Sequence, residues 1–250
     1  MTSGRIINES LSDQEIAPNA PYLFQTIHTL HHKGRHLHEH LTLLNQASQH
    51  LFNQPVTLSA TDLQTQISEL LMAEHYPTTV SSFVRLQVYA SGVLKLVLGE
   101  ISLYAGYALR SLQPEAITLT YDLPFGGLPL SLREQAAAIA LCQAQAQGAT
   151  AVIRSSEKGL VCTADDAPLF VVRGTQIYTP VDDGSVEFAA AIAAIHLRGY
   201  ELHIQAIETA ELSACDEIFY FDHRGITALS KCNGRLLMHI LAEQVATVLR

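Results

Sequence analysis

The chain has 250 residues, 48% of them hydrophobic, and a net charge of −9 from 24 acidic against 15 basic side chains. That length can bury a large core in one big domain or two small ones. With no cluster of more than two Lys or Arg, it lacks the basic stripe that nucleic acid or an anionic membrane requires.

No apolar run approaches the roughly 18 residues of a membrane span, and MTSGRIINESLSDQ lacks the basic-then-apolar order of a signal peptide. A cytoplasmic protein acting on a small molecule or another protein is therefore expected. Cys142, Cys162, Cys215 and Cys232 show no CxxC pairing or metal spacing, which predicts reduced, mostly buried thiols.

Residues 1–20 are polar and contain Pro18, as a loose leader would. YLFQTIHTL, from Pro21 on, alternates as a strand; HHKGR turns at Gly34, and a helix follows from about His40 to Phe52. Seven histidines, at 28, 31, 32, 36, 38, 40 and 50, fall in this region, and His36, His38 and His40 would share a strand face if that strand ran long enough. No acidic or Cys companion is spaced to complete a closed site, so no metal is expected.

A second helix is predicted over 61–75, with Thr61 and Gln64 as a capping box and Leu63, Ile67, Leu70 and Leu71 on one face. SFVRLQVYASG and VLKLVLG read as a hairpin with Gly92 near the turn. A strand at Ile117 to Tyr121 is followed by the Pro- and Gly-rich stretch 122–130, taken as the interdomain linker. The Ala-rich helix SLREQAAAIALCQAQAQG stops at Gly148.

The stretch GLVCTADDAPLFVVRGTQIYTP, 159–180, reads as strand, acidic turn, strand, turn, strand, broken by Asp165-Asp166 and Gly174. Beyond it Ser185 is placed to cap a helix, Glu187 suits the positive end of its dipole, and Gly199 ends it before ELHIQAI. The Asp222-His223-Arg224-Gly225 run lies between two apolar segments.

Gly159, Val161, Phe170, Gly174, Thr179 and Pro180, with Asp216, Glu217, Phe219, Gly234 and Arg235 further on, resemble the pattern of the class IV aminotransferases. These are fold type IV pyridoxal phosphate (PLP) enzymes, among them branched-chain aminotransferases and aminodeoxychorismate lyases. The resemblance runs from about 21 to 240. It implies an α/β (α+β in stricter terms) two-domain fold with an N-terminal domain over 21–121 and a C-terminal domain over 131–250. It also implies an interdomain cleft and a homodimer.

Against that pattern the chain departs at four places. The Schiff-base Lys position falls at or near Pro129, with no Lys anywhere from 96 to 157; the pyridine-facing Glu is Thr163; the phosphate Arg is Leu43; and the motif Asn is Pro168. PLP chemistry needs that amine, that acid and fixed donors for the phosphate. The reading that follows is a degenerate homologue, forming no PLP aldimine. Its cleft, around Thr163, Asp165, Asp166, Ser185, His223 and Arg224, would take an anionic or zwitterionic small molecule.

The amides of Gly184, Ser185 and Val186 offer an anion site, although Glu187 makes it less welcoming, and Gly225 and Thr227 lie in the loop where the family makes a further phosphate contact. Asp165 or Asp166 could replace the missing Glu. The alternatives are an active aminotransferase or aminodeoxychorismate lyase with an unorthodox site, a non-PLP enzyme with His223 as general base, and a non-catalytic dimeric scaffold.

Overall fold

The computed structural model describes residues 4–6, 16–17, 19–123 and 125–249. The chain divides into two compact units, one of residues 1–106 with 128–132, the other of 107–127 with 133–250.

In the first unit an antiparallel sheet has the order β1-β5-β4-β2-β3, formed by Gly4–Ile6 (β1), Tyr22–Leu30 (β2), Lys33–Gly34 (β3), Ser82–Tyr89 (β4) and Leu94–Ile101 (β5). Within the expected leader, β1 pairs with β5; most of the remaining leader lies outside the described residues. Helices Leu37–Phe52 (α1) and Ala60–Ala73 (α2) contribute Leu41, Leu44, Leu63, Ile67 and Leu71 to one core with Leu23, Ile27 and Leu86. The 3.6-residue spacing of the helical Leu and Ile produces this face.

Two expectations are corrected here. The strand after Gly34 does not extend to His40: α1 starts at Leu37, with His36 as its left-handed N-cap, so His36, His38 and His40 share no strand face. Helix α2 is capped by Ser59, whose extended backbone lets its hydroxyl accept from Asp62 N at 3.1 Å, rather than by Thr61. Gln64 instead bridges the β2–β3 turn, accepting from Gly34 N and donating to His32 O.

The second unit stacks helices and two sheets in layers. One sheet has the order β12-β11-β10-β13-β14-β6 and comprises Ala108–Leu109 (β6), Leu169–Arg173 (β10), Gln176–Thr179 (β11), Leu202–Ile204 (β12), Glu217–Asp222 (β13) and Gly225–Ala228 (β14). The other, β16-β15-β7-β8-β9, comprises Glu115–Thr120 (β7), Ala151–Ser155 (β8), Val161–Ala164 (β9), Lys231–Cys232 (β15) and Arg235–Leu236 (β16). Strand β10 explains why 169–172 reads as an unbroken apolar run. Leu169 and Val171 face the core shared with Ile153 and Val161, while Phe170 and Val172 face Val186–Leu197 (α4) and Ile240–Ala246 (α5).

Helix Ser131–Gln145 (α3) sets Ala140 and Ala144 against Val152, Ile117 and Leu119 on the outer face of β7 and β8. Because that Ala face packs inward, Cys142 is exposed and Cys162 half-exposed; only Cys215 and Cys232 are buried, which corrects the expectation of mostly buried thiols. Where the sequence suggested a boundary at 121–122, the units divide at 106–107. Strand β7 pairs in parallel with β8 and so lies in the second unit.

Candidate functional site

The expected acidic turn is the organising feature of the second unit. Ala164 and Ala167 exchange both backbone hydrogen bonds, at 3.0 and 2.8 Å, leaving Asp165 and Asp166 as a two-residue hairpin with φ of +45° and +62°. Asp tolerates this left-handed geometry better than most residues because its short polar side chain bonds locally. The two carboxylates then part company.

Asp165 turns toward β13. Its Oδ1 accepts from Val152 N at 2.9 Å and its Oδ2 accepts from the Tyr220 hydroxyl at 3.0 Å. The residue keeps solvent contact overall, yet its carboxyl is desolvated, and that burial raises its pKa against the lowering effect of those two bonds. Tyr220, itself buried, is bracketed by Asp165 and Thr227, and burial pushes its phenol upward. Thr227 is fully buried and accepts from Arg110 Nη1 at 3.3 Å. One polar chain therefore runs Asp165, Tyr220, Thr227, Arg110 across one face of the sheet.

Asp166 turns the other way, to the first turn of α3. Arg133 donates to its Oδ1 from Nη2 at 2.7 Å and from Nε at 3.2 Å. Beside this pair stands Arg154 on β8, its guanidinium carbon 6.0 Å from the centre of the Tyr121 ring and its Nε 3.4 Å from Oγ1 of buried Thr163. Burial raises the Tyr121 phenol, with Asp166 adding to the effect and Arg154 opposing it. Thr163 and Asp166 thus belong to one group, and Asp165 and Thr227 to another.

The remaining candidate residues lie at two further places. Asp222, His223, Arg224 and Gly225 form the tight β13–β14 hairpin. Asp222 Oδ1 accepts from Arg224 N at 2.8 Å and its Oδ2 lies 3.5 Å from Arg224 Nη1, so this turn is held by its own side chains, with His223 half-buried in it. Desolvation raises the Asp222 carboxyl while Arg224 and Arg110 oppose it. Gly225, at φ +128°, lies against β6; a Cβ there would sit 2.2 Å from Ala108 O.

At the start of α4, Ser185 Oγ accepts from Phe188 N at 3.0 Å, Asp182 accepts from Gly184 N and Asp183 from Ser185 N. The half-buried Glu187 has its pKa raised to about 7, chiefly by desolvation, with Asp183 and Asp222 adding to it. The amides proposed for an anion are thus already committed to the chain's own oxygens. Among the described residues no group of three or more His, Cys, Asp and Glu converges to hold a metal ion.

Sequence reasoning missed Tyr121, Arg133, Arg154, Arg110 and Tyr220. Arg154 alone carried a signal, as the one charged residue inside the buried strand AVIRS. The others are brought in by pairing between distant segments.

Residues 132–221 match the family model Amino-transferase class IV. Among solved structures, the branched-chain aminotransferase from Thermoproteus uzoniensis with norvaline superposes with a TM-score of 0.79 at 18% identity, covering 99% of this chain and 93% of that one. An aminotransferase from Brucella abortus bound to PLP gives 0.77 at 18%, covering 94% and 92%. A putative 4-amino-4-deoxychorismate lyase from Legionella pneumophila gives 0.74 at 16%, covering 90% and 88%. No curated protein matches the sequence. The chain resembles the class IV aminotransferases and has their mixed α/β fold.

Proposed function

We propose that this chain is a class IV aminotransferase-like protein that binds an anionic or zwitterionic small molecule in its second unit and forms no PLP aldimine. The observation that carries the reading is the placement of its four lysines. Lys158 is exposed in the β8–β9 turn, and Lys231 Nζ is held 2.9 Å from Glu115 Oε2. Lys33 and Lys95 sit on strands of the first unit, Lys33 exposed. None stands in the Thr163, Asp166, Arg133, Arg154 group.

The donor set does not fit the cofactor in two further respects. A threonine hydroxyl stands where a carboxylate would have to hold the pyridine proton. A phosphate dianion at the start of α4 would meet Asp182, Asp183 and Glu187 in place of free amides. We derive no step through PLP.

By analogy of fold the protein is a homodimer, which sedimentation would test, and its place is the cytoplasm. No helix among the described residues is long and apolar enough to cross a membrane. The central test is a titration of the purified protein with PLP, followed by visible absorption. The reading predicts the spectrum of free PLP at every ratio; a shifted band that borohydride bleaches would support the active-enzyme alternative.

A further inference from the structure

The Thr163 group contains one positive charge that nothing in the unit neutralises. Arg133 is spent on Asp166, in a two-bond contact. Arg154 is half-buried, and among the described residues its guanidinium makes a single hydrogen bond, the 3.4 Å contact from Nε to Thr163 Oγ1, leaving both Nη groups without an acceptor. The half-buried Tyr121 hydroxyl likewise makes no hydrogen bond among the described residues, although its ring lies 6.0 Å from the same guanidinium.

Desolvated donors left unpaired cost free energy in the empty protein. They are the donors that a planar acceptor recovers on binding.

Resting on the reading above, and sharpening it, we propose that Arg154 anchors the carboxylate of a small organic acid. Its two Nη groups donate in parallel to the two carboxylate oxygens, and Tyr121 offers a third donor at the rim. The fork of the guanidinium matches a carboxylate in plane and spacing. Charge selects the class further. The Arg133–Asp166 pair is neutral, so the group presents one net positive charge, and Asp166 beside it disfavours a dianion. A monocarboxylate fits better than a phosphate.

Isothermal titration of the whole chain with pyruvate and benzoate, with their neutral amides and with inorganic phosphate, tests this. The expected result is binding of at least one carboxylate, none by the amides, and weaker binding of phosphate. Arg154→Gln should weaken the carboxylate about tenfold or more, the loss typical of one charge-assisted contact. Arg154→Lys, keeping the charge without the fork, and Tyr121→Phe should each weaken it by about a few-fold. Arg198→Gln, at the exposed C-terminal cap of α4, should leave it unchanged. Circular dichroism confirms that each variant is folded, and the Lys and Phe variants serve where the Gln variant is not.

The proposal is overturned if no carboxylate binds, if the amides bind equally, if phosphate binds more tightly, or if the Arg154 variants bind as the parent does. PLP absorption on the same preparations separates the two ideas. A borohydride-reducible band alongside Arg154-dependent carboxylate binding would refute the non-aldimine reading and leave this one standing.

Discussion

Glu187 is the residue whose chemistry is most displaced from its ordinary state. Its pKa rises from 4.5 to about 7, so between those values the folded protein holds a proton that the unfolded chain has released. Stability must therefore fall as pH rises from about 4.5 to 7 and level off above. Glu187→Gln removes this dependence. In denaturant melts it should be more stable than the parent by about 1–2 kcal/mol above pH 7, a figure reduced because the residue keeps some solvent contact, with the gap closing toward pH 4.5. A gap that does not change with pH would contradict the assignment.

Asp165 makes a second case. Asp165→Ala breaks the bonds to Val152 N and Tyr220 and should cost about 2–3 kcal/mol, whereas Asp165→Asn, which keeps acceptor and shape and tolerates positive φ, should stay within about 1 kcal/mol of the parent. Thermal melts of the pair decide it. The sequence flagged Asp165 and Asp166 as a turn and could not show that they face opposite ways. Their partners, Tyr220 and Arg133, lie 55 and 33 positions away and are assembled by strand pairing and helix packing.

Elements were more legible than partners, since periodicity is a local property. The β4–β5 hairpin, the Ala-rich α3 and the Ser185 cap of α4 follow directly from apolar spacing and turn residues. Errors fell where two capping residues competed within three positions. Only the backbone decides that Ser59 and not Thr61 caps α2. Ser59→Ala should therefore lower stability by about 1 kcal/mol and Thr61→Ala by much less in the same denaturant series.

At the β13–β14 hairpin the constraint is steric. Gly225→Ala would drive a methyl group into Ala108 O, 2.2 Å away, and should destabilise by about 3 kcal/mol or more or prevent folding, as calorimetry would record. That constraint was invisible in sequence because β6 reaches β14 from 117 residues upstream.

For the whole molecule, order of motifs outlived their chemistry. The fold is shared with class IV aminotransferases at 16–18% identity. What persists, such as Phe170, Gly174 and Thr179, lies in or beside the buried sheet, while the positions of the Schiff-base Lys and pyridine-facing Glu read as Pro129 and Thr163. Burial constrains the first set whatever the activity; nothing in folding constrains the second.

The most direct measurement is the intact mass of the protein after incubation with excess PLP, borohydride reduction and denaturing removal of free cofactor. The account predicts the unmodified mass, apart from a trace of surface adducts spread over the lysines by peptide mapping. A stoichiometric pyridoxyl adduct on one lysine would contradict it.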